Sequence, residues 1–167
     1  MMHDAPTVFN PRLTGRARER TPTPPPTPIE QAVKACQFGE LEELEDLIDG
    51  RSRETEEFTR AIHANDRDAE NVPLLHWAAI NNREHVVAYL LDRGADSLAV
   101  GGILEESALM WAARQGYIAI ILRLMDAGAE PHQRNVYGQT AVHLAAQRNH
   151  TSSVLVLLAA GVPTDVK

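Results

Sequence analysis

Three stretches of this chain are versions of one another: PLLHWAAINN (73–82), SALMWAARQG (107–116) and TAVHLAAQRN (140–149). Their alanine pairs, Ala78-Ala79, Ala112-Ala113 and Ala145-Ala146, stand 34 and 33 residues apart, and Gly94, Gly128 and Gly161 follow at the same two intervals. Each unit reads as a short Ala-rich helix, a turn, a second helix and then a glycine whose left-handed backbone stops it. Alanine lets neighbouring helices approach closely. The pattern therefore predicts a stack in which each unit packs on the next, rather than a domain closed around one central core.

A period near 33 with this internal plan resembles the ankyrin repeat, whose signature is T-P-L-H-x-A-A. Pro73-Leu74, Ser107-Ala108 and Thr140-Ala141 stand where that signature has Thr-Pro. A fourth, degenerate unit lies upstream in VKACQFGELEELEDLIDG (33–50), with a turn at Gly39 and the lone Cys36 beside it. Leu41, Leu44, Leu47 and Ile48 form one stripe there, and Glu40, Glu42, Glu43, Glu45, Asp46 and Asp49 fill the rest. One apolar stripe against an acidic face is the pattern of a terminal repeat with a neighbour on one side. The expected fold is an all-α ankyrin-repeat solenoid of about four repeats, near 29–50, 71–103, 105–137 and 138–167, with residues 51–70 as an inserted loop.

Residues 1–28 differ in kind. RTPTPPPTP (20–28) is too rich in proline for a helix or an interior strand, and few large apolar residues surround it, so a disordered arm is expected. Pro22, Pro25 and Pro28 keep the three-residue period of polyproline II, which leaves an SH3-type ligand beside the simpler reading of a linker. Thr21, Thr23 and Thr27 each precede a proline, a weak pattern for proline-directed phosphorylation.

The formal charge of −7 divides unevenly. Four arginines against Asp4 and Glu19 give the arm +2, which leaves −9 on the remainder, a body that should not bind nucleic acid non-specifically. The longest apolar run, Val154 to Val162, is far short of the roughly 20 residues that a bilayer-spanning helix needs, so no membrane insertion is expected. With no signal-like start and a single cysteine, a cytoplasmic, reducing setting is expected.

The last helix, TSSVLVLLAAG (151–161), has five consecutive large apolar residues and cannot keep a polar outer face. It reads as an internal repeat, so the sequence reads as a fragment or truncated product of a longer array, with a dimer covering that face as the alternative.

His76 and His143 occupy the His of the repeat signature, where the ring ties neighbouring backbone turns together; Met110 takes that place in the third unit. They are read as structural. His3, His63, His85, His132 and His150 have no metal-ligand spacing with Cys36, so no metal is expected. There is no nucleophile elbow or phosphate-binding glycine loop, and Gly101-Gly102 reads as the shaping of a finger turn. No catalysis and no cofactor are expected. Trp77 and Trp111 follow the His position, where a smaller aliphatic is usual, and each reads either as packing between repeats or as an aromatic offered to a groove. Asn81, at the end of its helix, is expected to project into the same groove. An amide beside an aromatic suits a peptide, one holding backbone and the other a side chain or proline.

Together ENVPLLHWAAINNREHVVAYL (70–90), GADSLAVGG (94–102), WAARQGY (111–117) and HLAAQRNHTS (143–152) resemble the N-terminal ankyrin domain of DHHC-type protein palmitoyltransferases of the huntingtin-interacting type. The resemblance covers about residues 30–166. It implies a module that faces the cytosol, on Golgi or other endomembranes, and recruits protein partners through short extended peptides containing proline, with Asn81 and Trp111 at the family's peptide-contacting positions. The Asp-His-His-Cys motif and the membrane-spanning helices of that family are absent from the sequence. The reading is a recruiting module without catalysis of its own. A stand-alone cytosolic ankyrin adaptor or scaffold is the alternative.

Overall fold

The computed structural model describes residues 26–50 and 62–161, in which eight helices fall into four helix–turn–helix pairs. They are α1 (Pro28–Phe38) with α2 (Leu41–Asp49), α3 (Leu74–Ile80) with α4 (Glu84–Asp92), α5 (Ala108–Gln115) with α6 (Ile118–Asp126), and α7 (Ala141–Gln147) with α8 (Thr151–Gly161). The expected disordered arm falls almost wholly on residues 1–25, and most of the expected inserted loop on 51–61, both outside the described residues.

The array opens on a reciprocal cap. Thr27 N–H donates to Glu30 Oε2 at 2.7 Å and Glu30 N–H to Thr27 Oγ1 at 3.4 Å, while Pro28 occupies the first helical position, where its missing N–H costs nothing. Each turn after a first helix needs a left-handed residue. Gly39 (φ 82°), Asn82 (φ 57°), Gly116 (φ 80°) and Asn149 (φ 61°) take that place in the four pairs, glycine and asparagine being the residues that reach it most cheaply. The sequence repeat is thus also a repeat of backbone conformation. Gly94 and Gly128 come after α4 and α6 in the same left-handed region, whereas Gly161 is the last helical residue of α8, and residues 162–167 lie outside the described ones.

Ala78, Ala79, Ala112, Ala113 and Ala145 are buried at the contacts that stack α1, α3, α5 and α7 side by side. Val86, Val87, Leu90, Ile120, Ile121, Leu124 and Leu157 of the second helices close the core behind them. Each such large side chain contributes about 1.5–3 kcal/mol on burial. Cys36 lies in α1 rather than in the turn after it, and is fully buried. The second-helix layer is looser, with a cleft of about 510 Å³ between α4 and α6.

Between the pairs the chain throws out fingers. The first runs to Pro73 and includes residues 62–70, which the sequence suggests are inserted loop: Asp68 N–H donates to Val72 O, and Arg67 pairs with Pro73 in an isolated bridge. The second finger is the antiparallel hairpin of β1 (Val100–Gly101) and β2 (Glu106–Ser107). A Cβ on Gly101 would lie 2.5 Å from Pro73 Cδ, so the first two fingers touch only because Gly101 has no side chain. In the third, Asn135 N–H donates to Gln139 O at 3.0 Å and Val136 N–H crosses to Leu104 O at 3.1 Å, joining it to the second. The fold is an all-α solenoid apart from that two-residue ladder.

Candidate functional site

The His of the signature forms a rung between units. His76 is fully buried and donates Nε2–H to Glu106 O, in the next finger, at 2.8 Å. Burial pushes the imidazole down from 6.5 to about 4, which outweighs the opposing pull of the Glu106 carbonyl, so the ring is neutral at pH 7. In the neutral ring the other nitrogen is an acceptor, and Nδ1 is buried without a partner. Pro73 is the reason: it stands three residues before His76, where Thr140 stands before His143. Thr140 Oγ1 lies 2.8 Å from His143 Nδ1, and the Thr140 N–H donates to the same atom at 3.3 Å. His143 is nevertheless exposed and reaches no neighbouring finger among the described residues, so the tie expected between units forms at His76 and not here.

The two tryptophans meet edge to face. Their ring centroids are 5.9 Å apart at 89°, and the His76 ring stands 5.3 Å from Trp111 at 84°. Both tryptophans are half-buried. Trp77 Nε1–H donates to Asp68 Oδ2 at 2.7 Å, while Trp111 Nε1 is buried without a partner. The second finger also closes on Trp111, whose six-membered ring lies 3.9 Å from where a Gly102 Cβ would be. Trp111 is therefore backed by His76, flanked by Trp77 and bordered by a side-chain-free finger.

Asn81 caps α3, and its Nδ2 donates to Trp77 O at 2.8 Å. The side chain thus folds back on its own helix end instead of projecting freely, and its Oδ1 has no partner among the described residues. Trp77 connects the expected site residues: it takes Asn81 on its carbonyl and meets Trp111 with its ring.

Sequence reasoning missed a buried carboxylate. The Glu106 side chain is 2% exposed, pairs with Arg114 and accepts from Asn135 Nδ2 at 3.1 Å. Asn135 Oδ1 in turn accepts from the N–H groups of Tyr137 and Gln139. Glu106 therefore joins α5 to the third finger by its side chain and takes the rung from His76 on its carbonyl. No periodic signal marks it, because its partners lie 8 and 29 residues away. Helices α3 and α5 and the second and third fingers are in this way tied together.

Among the described residues no group of three His, Cys, Asp or Glu could hold a metal ion, and no helix is long and apolar enough to cross a membrane. Burial pushes the Cys36 thiol up to about 12, which keeps it protonated and unreactive.

Comparison with known proteins agrees with this geometry. The family model "Ankyrin repeats (3 copies)" matches residues 98–167 and the model "Ankyrin repeat" matches residues 70–99. Palmitoyltransferase Hip14 of Drosophila melanogaster is 38% identical over 127 residues, covering 72% of this chain and 18% of its own length. The putative palmitoyltransferase ZDHHC13 of Danio rerio is 36% identical over 134 residues, 80% of this chain and 19% of its own. Palmitoyltransferase ZDHHC17 of Danio rerio is 40% identical over 111 residues, 66% of this chain and 16% of its own. The chain thus spans less than a fifth of the length of these relatives. With its four stacked helix pairs, its fingers and its match to two repeat models, this chain belongs to the ankyrin-repeat family and is a protein-interaction module.

Proposed function

We propose that this chain recruits substrates for a protein S-palmitoyltransferase, holding a short extended, proline-containing segment of each against Trp111, Trp77 and Asn81 at the cytosolic face of an endomembrane. The similarity to palmitoyltransferases supports the link to acyl transfer. The recruiting body is residues 29–167. The single observation that carries the peptide reading is the half-buried, edge-to-face pair of Trp77 and Trp111, braced from behind by Asp68 and His76. Rigid aromatic surface of this kind binds at low entropic cost, and proline loses little freedom on docking. An extended segment also brings unpaired N–H groups, and Asn81 Oδ1 is an acceptor beside the pair.

A display library of unstructured peptides carrying one fixed proline, selected on the full chain, supplies the ligand for the test. Trp111→Ala is expected to weaken the selected peptide by about 2 kcal/mol, and Asn81→Ala to weaken it with almost no change in unfolding. Selection of no peptide from the library, or unchanged affinity in both variants, would reject the reading.

A further inference from the structure

The carboxylate of Asp68 serves two elements at once. Oδ1 accepts from Glu70 N–H at 3.0 Å and Val72 N–H at 2.8 Å, which shapes the first finger. Oδ2 accepts from Trp77 Nε1–H at 2.7 Å, which ties that finger to α3. The residue before it reaches the other way: Arg67 donates to Val100 O, in the second finger, at 2.7 Å. The second finger closes on Trp111 at Gly102, and Trp77 meets Trp111 edge to face. Both walls beside Trp111 are therefore anchored on two consecutive residues of the first finger.

We propose that Asp68 is a positioning residue for the peptide site: it fixes the indole of Trp77 through Oδ2 and thereby sets the face that Trp111 presents to a ligand. This rests on the reading of Trp111 as a peptide-binding residue. Without the carboxylate, the Trp77 N–H needs another acceptor, and the ring turns to find one. Trp111 has no hydrogen bond of its own to resist, since its Nε1 is unpartnered. Its orientation then depends on packing against the Trp77 edge, the His76 ring and the second finger.

Asp68→Asn separates this role from that of the finger. An asparagine keeps Oδ1 for the two backbone donors, as asparagine does in turns of this kind, but faces the Trp77 N–H with an NH₂ group. The two tryptophans are the only ones in the chain, so near-ultraviolet circular dichroism reads their mutual geometry directly. In the full chain, Asp68→Asn is expected to alter that band, leave the unfolding midpoint nearly unchanged, and weaken the display-selected proline peptide roughly 3- to 10-fold. Trp77→Phe removes the N–H, and adding Asp68→Asn to it is expected to have no further effect on affinity. If Asp68→Asn binds as the parent does while Trp111→Ala is weakened, the positioning role is overturned and the peptide site stands. If Trp111→Ala itself binds as the parent does, the peptide site is overturned and the positioning role with it.

Discussion

His76 and Glu106, 30 residues apart, are joined by a 2.8 Å hydrogen bond from a fully buried imidazole to a backbone carbonyl, and this rung links one helix pair to the finger of the next. The bond needs a proton on Nε2, which either the neutral Nε2–H tautomer or the charged ring supplies. The surroundings decide for neutral, because a second proton on Nδ1 would be a buried charge with nothing to receive it.

Stability should therefore fall on acidification. The folded value is depressed from 6.5 to about 4, so the unfolded chain takes up the proton first: the contribution is whole above pH 6.5 and is lost as pH falls through about 4. The full loss is about 3 kcal/mol, and urea unfolding from pH 7 to pH 4 checks it. In His76→Gln the part of the pH profile between 6.5 and 4 assigned to this ring should flatten; an unchanged profile would assign the loss to other groups.

Pro73→Thr should stabilise the array. Thr140 shows what the hydroxyl does, its Oγ1 lying 2.8 Å from His143 Nδ1, and His76 lacks that partner. Satisfying a buried acceptor is worth about 1–3 kcal/mol, against a loss of up to about 1 kcal/mol for the proline's restriction of the unfolded chain. A net gain of about 1 kcal/mol in thermal or urea unfolding is the expected outcome, and a loss would mean that the contact of Pro73 with Gly101 dominates.

Arg114→Met strands a carboxylate. The Glu106 side chain is 2% exposed and would keep only Asn135 as a side-chain donor, so a loss of about 3 kcal/mol or more is expected. Replacing both partners, Glu106→Met with Arg114→Met, should cost less than the sum of the two single changes. Additive losses in a double-mutant cycle would show that the pair is not coupled.

Helix α8 carries exposed apolar side chains whose replacement should cost the fold little. Leu155 is 63% and Leu158 51% exposed, whereas Leu157 between them is buried. Leu155→Lys with Leu158→Glu should leave the unfolding midpoint nearly unchanged and reduce self-association measured by light scattering. Leu157→Ala is the contrast, with an expected loss of about 2–5 kcal/mol.

The helices and their turns were legible in the sequence because their causes are local. Ala78-Ala79 and its two copies announce close stacking, and Gly39, Asn82, Gly116 and Asn149 are residues that tolerate the left-handed turn where they stand. The oddity of Trp77 and Trp111 was visible for the same reason, as a departure from a repeating position. What each indole does was not visible. That Trp77 is tied to Asp68, that Glu106 is buried against Arg114 and Asn135, and that residues 62–70 fold into a finger instead of a loose insertion were decided only when the units stacked. These contacts join side chains to partners in other elements, and a helical period of 3.6 residues or a repeat of 33 carries no information about them. His76 and His143 fill the same place in the repeat, but among the described residues a finger packs against His76 alone, and burial is a property of the stack.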